Sequence, residues 1–407
     1  MRGTELQRIR CVIMRGGTSK GVFVNEADLP VDPERRNAAI LGLMGTPDPR
    51  QIDGLGGSDP LTSKFAIIGP PSRPDADVDY TFVQVGVAEP TLDYLGVCGN
   101  ISAAVGPYAI QEGLVRPTGD RTTVRIHQVN TGRIIVADVP TAHGDPDVGG
   151  DTAIDGVPGT GAALWLDFAD AAGAASGRIL PTGSARDTWE VPGLGAVEVS
   201  LVDLANPVVY VRATALGLTG TEGPEDYVQN PQATAWLEYL RGRAAVELGW
   251  IDDPARAAEE CSLHPLVATL HEPASYRALD GSLVEAGSMD VSGRVQVLRR
   301  LHLAYPGSGA ANLTMAAFVP GSLAHELMGA RGPGRHDFSI GHPSGLMPTQ
   351  GEVEMVDGEL VPRRIAFVRT ARRIMEGYAY VPHARIALDD AIVSAEPHLR
   401  HLAGGRD

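Results

Sequence analysis

The sequence predicts a strand-rich α+β protein in two parts, each with at least one helix enclosed by strands. Its 407 residues exceed the ~100–200 residues of an ordinary domain, so two domains are expected. Forty-nine glycines and thirty prolines spread along the chain indicate many turns and short strands. The strand-like runs are, in chain order, CVIM, GVFV, FAII, DYTFVQVGV, TTVRIHQV, RIIVADV, AALWLDF, AVEVSLVDL and VVYVRA.

Two segments predict helices. Segment 100–115 is apolar on nearly every side, which is typical of a helix buried inside a sheet, and Pro107 should bend it because proline has no N–H to donate. Segment 231–250 predicts an amphipathic surface helix with apolar residues at helical spacing: Trp236, Leu240, Ala244 and Leu248. We expect 181–195 to connect the two parts, and the stretch after Pro382 to form a terminal helix or a frayed tail.

Composition restricts the possible partners. A net charge of -16 argues against a nucleic-acid or anionic membrane surface, but a small anionic substrate fits if positive charge is gathered locally. The apolar run Cys11–Met14 is too short for a secretory signal, and no run approaches the ~20 apolar residues of a membrane span. Three widely spaced cysteines form no disulfide framework. We therefore expect a cytoplasmic protein.

The tripeptide Thr-Ser-Lys occurs twice and contains the only two lysines, Lys20 and Lys64. A guanidinium stays protonated, whereas a lysine amine can be desolvated until it gives and takes protons. Both lysines lie in Gly/Ser/Thr-rich loops beside short apolar runs, where catalytic groups are often placed. This pattern favours a proton-transfer role, and chance placement is the alternative.

Several familiar motifs fail here. The first Thr-Ser-Lys lies within G-x-S-x-G, but a hydrolase nucleophile elbow or a P-loop would open a helix, and the strand-like run GVFV follows instead. The glycines of GLGG at 54–57 are too few for a dinucleotide fingerprint. The eleven histidines form no HExxH motif and the cysteines no C-x-x-C pair, so no metal is expected.

Cys98 directly precedes the predicted buried helix. The positive end of the helix dipole favours a thiolate there, and an inert buried thiol is the alternative. A second Gly-rich element, FSIGHPSGLMPTQG at 338–351, suggests another helix start, with Pro343 suited to the first helical position. Ser344 and Gly345 would then lie beside free backbone N–H groups. Two such helix ends facing each other can hold a dicarboxylate.

Five segments closely resemble the PrpF family within the diaminopimelate-epimerase-like fold. They are MRGGTSKG (14–21), IDGLGGSDPLTSK (52–64), CGNISAAVGPYAI (98–110), GHPSG (341–345) and RTARRIMEGYAYVP (369–382). The resemblance implies two pseudosymmetric halves, each a β-barrel-like sheet around a central helix, with the active site between them. It implies a first half over 1–190, a second over 191–365, and a terminal segment, 366–407, whose strand returns to the first half.

The resemblance also implies an activity. The family includes 2-methylaconitate cis-trans isomerase, methylitaconate Δ-isomerase, oxalomesaconate tautomerases and isomerases, and aconitate isomerases, which move a proton and a double bond in small unsaturated di- or tricarboxylates without a cofactor. Lys64 and Cys98 match the family's acid/base pair. The implied substrate-binding residues are Arg15, Gly17, Thr18, Ser19, Lys20, Ser63, Gly99, Asn100, Ser102, Asn206, His342, Pro343, Ser344, Gly345 and Leu346. A homodimer is a possible assembly.

One departure separates the chain from epimerases of this fold, which carry a second cysteine at the start of the other central helix. The GHPSG element offers Ser344 instead, and the resemblance implies that Lys64 replaces the thiol. The sequence leaves open which of Lys64 and Cys98 acts first, and whether the outcome is cis-trans, allylic or keto-enol. Two further alternatives are a non-catalytic tricarboxylate-binding protein and a hydrolase that uses Cys98 with His127 or His342 as base.

Overall fold

The computed structural model describes residues 5–261 and 263–386. Its strands are β1 Leu6–Gly16, β2 Ser19–Asn25, β3 Lys64–Gly69, β4 Val78–Val85, β5 Leu92–Asp93, β6 Arg121–Gln128, β7 Arg133–Pro140, β8 Thr152–Ile154, β9 Val157–Gly161, β10 Leu164–Asp167, β11 Asp187–Val191, β12 Gly195–Leu204, β13 Asn206–Arg212, β14 Leu266–His271, β15 Tyr276–Arg277, β16 Leu283–Val284, β17 Val291–Val297, β18 Arg300–Leu301, β19 Gly334–His342, β20 Gly345–Val356, β21 Glu359–Arg369 and β22 Ala371–Pro382. Its α-helices are α1 Pro33–Met44, α2 Gly99–Gln111, α3 Pro224–Gln229, α4 Pro231–Glu247, α5 Ala257–Glu260, α6 Gly307–Ala316, α7 Leu323–Leu327 and α8 His383–Ile386.

Most strands of the described chain join one continuous sheet of eighteen strands. Following the pairings from one edge to the other, the order is β22-β1-β2-β3-β4-β6-β7-β10-β21-β20-β19-β17-β14-β13-β12-β11, with β5 beside β4 and β18 beside β17. Every strand-like run predicted from the sequence lies in one of these strands, so the strand-rich α+β prediction is confirmed.

The sheet repeats one topology twice. In the first half β2 runs parallel to β3 and β4 parallel to β6, and in the second half β13 runs parallel to β14 and β17 parallel to β19. The central helix stands at the equivalent place in each half, α2 between β4 and β6 and α6 between β17 and β19. The pairing of β22 with β1 brings the C-terminal strand back to the first half. The two halves are therefore pseudosymmetric.

The two central helices are buried on all sides. In α2 every residue from Gly99 to Ile110 is buried, and in α6 all of Gly307–Ala316 is buried. Small side chains allow the surrounding strands to approach, because a Cβ added at Gly106 would lie only 2.8 Å from Val139 Cγ2. The helix continues through Pro107, as residues 99–111 are helical throughout. The enclosed helix, predicted because segment 100–115 is apolar on nearly every side, is confirmed.

The predicted surface helix is α4. The Asn230 side chain caps it by accepting a hydrogen bond from Ala233 N at 3.2 Å, and Pro231 occupies the first turn. Its buried face includes Leu237 and Leu240, which pack against the outer face of the second half of the sheet. Beyond Pro382 the structure describes α8, and the prediction for 387–407 lies outside the described residues. No helix of the described chain is long and apolar enough to cross a membrane.

Candidate active site

The N-termini of the two central helices meet at the centre of the molecule. A Cβ added at Gly99 would lie 2.8 Å from Ser308 N, and one added at Gly307 would lie 3.2 Å from Gly99 Cα. Glycine is needed at both places because the two backbones touch. Neither helix has a side-chain N-cap, since Cys98 and Pro306 occupy the cap positions without capping hydrogen bonds. Two uncapped positive helix ends therefore face one region, an arrangement that favours anions.

A cavity of about 70 Å³ opens at these helix ends. Lys64 and Cys98 both line it, together with Ser19, Asn206 and Ser308. No aspartate or glutamate lies among its lining residues in the described chain, although the whole chain carries a net charge of -16. Positive groups are thus concentrated where a small anion would bind.

Lys64 is held by an oriented amide. It is the first residue of β3 and is only 7% exposed, and its Nζ donates a hydrogen bond of 2.7 Å to Gln84 Oε1 on β4. The Gln84 amide donates from Nε2 to the carbonyl oxygens of Ser63 and Pro60, both at 3.1 Å, so its Oε1 is fixed toward Lys64. No carboxylate of the described residues forms an ion pair with Lys64. The amine therefore has free hydrogen-bonding capacity in the cavity.

Cys98 is half-buried at the start of α2, and Asn206 secures the chain just before it. The Asn206 side chain accepts a hydrogen bond from Val97 N at 3.2 Å and donates to Val97 O at 3.0 Å. It also donates to Ser308 Oγ at 2.8 Å, across to α6. Asn206 therefore links the two helix starts. The buried Arg369 guanidinium provides a positive charge near the Cys98 sulfur, and burial lowers the pKa of Arg369.

The first Thr-Ser-Lys segment contributes Ser19 to the cavity. Its Oγ is buried and has no hydrogen-bond partner among the described residues, so it can bind a ligand. Thr18 instead accepts a hydrogen bond of 3.0 Å from Asn100 Nδ2. Asn100 Oδ1 accepts one of 3.0 Å from Arg369 Nε. The Thr18–Asn100–Arg369 chain thereby holds this turn against α2.

Several sequence-predicted site residues lie outside the cavity lining. Arg15 donates to the carbonyl oxygens of Gly17 and Thr370, at 3.0 and 2.9 Å. Ser63 donates to Gln51 Oε1 at 2.7 Å, and Ser102 donates to Cys98 O at 2.9 Å, within its own helix. The set that does not line the cavity is Arg15, Gly17, Thr18, Lys20, Ser63, Ser102, His342, Pro343, Ser344, Gly345 and Leu346.

The interpretation of GHPSG as a helix start is wrong. Pro343 and Ser344 form the turn of the β19–β20 hairpin, and the second central helix begins at Gly307. A hairpin turn and a helix start both favour proline, serine and glycine, so local chemistry did not separate them. The serine at the start of the second central helix is therefore Ser308, whose Oγ accepts from Asn206, and not Ser344.

The sequence predictions missed several polar residues in or near the cavity, among them Gln84, His264, His302, Ser308 and Arg369. The run of small and apolar residues in PGSGAANLTMA resembles that of CGNISAAVGPYAI and could have identified α6 and Ser308. No sequence pattern marks the two histidines, which reach the site only through strand pairing, and Arg369 begins the segment RTARRIMEGYAYVP but was not predicted as a site residue. The described residues contain no cluster of three or more His, Cys, Asp or Glu side chains suited to a metal.

Two histidines near the helix ends are kept uncharged. His264 is 5% exposed, and both of its ring nitrogens lack a partner among the described residues. Burial, aided by the positive charges of Arg241 and Lys64, lowers the pKa of His264 to about 3. Burial, aided by Arg369 and Arg294, lowers the pKa of His342 to about 3. Neither imidazole is a proton donor near neutral pH.

Acidification should therefore destabilise the fold. An unfolded histidine has a pKa of ~6.5, so below that pH the unfolded chain binds protons that buried His264 and His342 do not. Their contribution to stability is present above pH ~6.5 and is lost as the pH falls toward 3. We expect the free energy of unfolding to fall by about 1 kcal/mol per pH unit for each histidine between about pH 6 and pH 4. Urea unfolding at a series of pH values measures this slope.

Two variants separate the histidines from the carboxylates that also titrate in acid. His342→Gln should reduce the slope by about one proton, because it removes one of the histidines whose pKa burial lowers. His143→Gln, at an exposed turn, should leave the slope close to that of the wild type. Equal slopes in His342→Gln and wild type would contradict the prediction.

Comparison with known proteins identifies close relatives. The model of the family described as PrpF protein matches residues 6–382. The chain is 44% identical over 385 residues to 3-methylitaconate isomerase of Eubacterium barkeri, covering 94% of this chain and 100% of that protein. It is 41% identical over 370 residues to 4-oxalomesaconate tautomerase of Pseudomonas putida, covering 91% of this chain and 95% of that protein.

Solved structures agree on the fold. The structure of a methylitaconate-delta-isomerase superposes with a TM-score of 0.80 at 42% identity, covering 97% of this chain and 100% of that chain. A hydroxyproline epimerase from Agrobacterium vitis gives a TM-score of 0.55 at 13% identity, covering 94% of each chain, and this likeness concerns the fold alone. The predicted epimerase-like fold of two pseudosymmetric halves is confirmed.

Proposed function

This chain belongs to the PrpF family, and on that premise we propose that it is a cofactor-independent isomerase that moves a proton and a double bond within a small unsaturated di- or tricarboxylate. Relatives that are 44% and 41% identical to this chain carry isomerase and tautomerase names, so the chain is an isomerase. The candidate substrates are methylitaconate, oxalomesaconate, methylaconitate and aconitate. The observation that carries the proposal is that Lys64 and Cys98 line one cavity at two uncapped helix ends.

The isomerase names of the relatives argue against the two alternatives drawn from the sequence, the hydrolase and the non-catalytic binding protein. The structure gives a physical reason against the hydrolase. His127 Nδ1 lies 2.9 Å from Asp79 Oδ1, and His342 Nδ1 accepts from Ser344 N at 3.2 Å. Neither imidazole lines the cavity with Cys98, so neither can serve the thiol as a base.

Substrate binding follows from the helix ends. One carboxylate is bound by the free N–H groups at the start of α2 and another by those at the start of α6. Ser19 Oγ, which has no protein partner among the described residues, donates to one of them. Arg369, which lies behind Asn100, adds positive potential. The cavity of about 70 Å³ is of a size that suits a small acid.

The chemistry is a proton shift. Lys64 acts as the general base and removes a proton from the carbon next to the double bond, and the electron pair of that C–H bond moves into the conjugated system. Negative charge collects on a carboxylate or keto oxygen, where preorganised N–H donors stabilise it. Cys98, or Lys64 itself, then delivers a proton to another carbon or after rotation, and the double bond re-forms in its new position or geometry. No atom is gained or lost.

The test is an exchange experiment. The purified protein is incubated in D2O with cis- and trans-aconitate, itaconate, methylitaconate, methylaconitate and 4-oxalomesaconate, and proton NMR follows deuterium uptake and double-bond position. We expect exchange or isomerisation of at least one acid, reduced roughly 10²–10⁴-fold in Cys98→Ser if Cys98 transfers a proton. Cys261→Ser is the matched control, since that thiol is buried outside the cavity. Binding of an acid without exchange or isomerisation would overturn the proposal.

A further inference from the structure

We propose that His302 is a catalytic residue whose Nε2–H donates a hydrogen bond to the substrate oxygen on which negative charge develops. This inference rests on the proposed proton-shift function. His302 follows β18, just before α6, and lines the same cavity as Lys64 and Cys98. His302 belongs to no sequence motif named above and is not part of the Lys64/Cys98 acid/base pair.

A backbone hydrogen bond determines the tautomer of His302. Ala304 N–H donates to His302 Nδ1 at 3.1 Å, so Nδ1 must present its lone pair. A neutral imidazole carries one proton, which is therefore on Nε2. Nε2 makes no hydrogen bond to any residue of the described chain. A donor of fixed identity is thus available to a ligand in the cavity.

The segment that carries His302 is anchored at three points. Besides the Ala304 contact, His302 N donates to Val295 O on β17 at 2.9 Å. Ser344 Oγ, in the β19–β20 turn, donates to Leu303 O. Ser344 is therefore a positioning residue in this scheme. Because the donor is held before the reaction starts, it costs no reorganisation when charge develops.

The surroundings keep this imidazole uncharged. Burial lowers the pKa of His302 to about 4, and the positive charges of Lys64 and Arg369 act in the same direction, whereas Asp59 opposes them. A neutral imidazole N–H is too weak an acid to protonate the substrate at neutral pH, but it is a good hydrogen-bond donor to an enolate-like oxygen. The nearby His342 is also uncharged, so it is not a second acid that could protonate the substrate.

The step balances without another reactant. Lys64 takes the proton, and the C–H electron pair moves through the conjugated system to the oxygen. The hydrogen bond from His302 Nε2–H to that oxygen becomes shorter, but the covalent N–H bond does not break. When a proton is returned to carbon, the electron pair leaves the oxygen and the contact weakens. His302 therefore stabilises the intermediate and ends each turnover in its starting state.

Kinetics of two variants test this role. His302→Phe removes the donor, and we expect kcat to fall roughly 10²–10³-fold with a much smaller change in KM, the effect of losing one preorganised donor. His302→Gln offers an amide N–H in its place and should recover part of kcat. His143→Gln, at an exposed position, should match the wild type. A change confined to KM, or equal kcat in all variants, would overturn the proposal.

A binding experiment separates this inference from the proposed function. Protein labelled with ¹⁵N-histidine is titrated with tricarballylate, a saturated tricarboxylate that cannot isomerise. We expect the Nε2–H tautomer of His302 in the free protein, unchanged between about pH 6 and pH 8, and a downfield shift of its Nε2–H proton at saturation. Three results would each contradict the proposed role of His302: the Nδ1–H tautomer in the free protein, an Nε2–H resonance that does not shift at saturation, or no binding of tricarballylate. If no acid exchanges its proton in wild type but this shift occurs, the proposed reaction fails while the His302 contact stands.

Discussion

Replacing Lys64 by arginine should lower kcat for proton exchange roughly 10²–10⁴-fold, the range that a positioned general base contributes. Lys64 is buried beside Gln84 and Phe82. Lysine and arginine can both carry a positive charge at this position, so the substitution does not remove the charge. A guanidinium cannot give up its proton in a protein, whereas a desolvated amine can. The measurement is the rate of deuterium uptake into the substrate under saturating conditions.

Two comparisons make this result specific. Lys64→Met removes both charge and base with little change in shape, and it should be as inactive as Lys64→Arg. Lys20→Arg changes the only other lysine, which does not line the cavity, and should retain most of kcat. If Lys64→Arg were far more active than Lys64→Met, Lys64 would be a fixed charge that binds substrate, and the base would have to be sought elsewhere. Thermal unfolding of each variant verifies that it is folded.

Replacing Gly99 by alanine should disrupt both stability and activity. The new Cβ would lie 2.8 Å from Ser308 N and 3.0 Å from the carbonyl carbon of Gly307, and these are backbone atoms that no side-chain rotation can move. Overpacking of this kind costs about 1–3 kcal/mol of unfolding free energy. Separating the two helix ends also displaces the N–H groups that bind substrate, and a shift of about 1 Å can lower kcat about 10²-fold.

Gly309→Ala is the matched control for Gly99→Ala. It lies in the other central helix, and its new Cβ would come no closer than 3.4 Å to Tyr305, an ordinary contact. Alanine in a helix interior is favoured over glycine by about 1 kcal/mol, so this variant should be as stable as the wild type or slightly more stable. Urea unfolding and the exchange assay measure both effects. If Gly99→Ala and Gly309→Ala had equal unfolding free energies and equal exchange rates, the backbones of the two helix starts could not be in close contact at Gly99.

The fold was predictable to the extent that its signals are local. Alternating and β-branched runs placed β1 to β4, β6, β7 and β10 of the first half and β12 and β13 of the second, and the all-apolar pattern placed α2. The short strands β5, β8, β9 and β11 were not predicted. The strands from β14 onward and the helix α6 were not assigned from their own patterns. The resemblance to the PrpF family supplied the pseudosymmetric arrangement that these patterns alone did not reach.

The candidate site shows the same division. Lys64 and Cys98 stood out by residue type and by their neighbours, and the structure brings both to one cavity. GHPSG was interpreted as a helix start because Pro-Ser-Gly suits both a helix start and a tight turn, and only the pairing of β19 with β20 identifies the turn. Its serine reaches Leu303 and supports the segment before α6.

The sequence by itself determined the strand-rich class, the enclosed helix α2, and the scarce lysines and thiols that make proton transfer possible. The tertiary structure alone decided where the second helix begins, which residues surround the cavity, and that His264 and His302 are uncharged there. The physical reason is that strand and helix formation depend on neighbours along the chain, whereas burial, charge repulsion and the approach of two helix ends depend on residues that only the sheet pairing brings together.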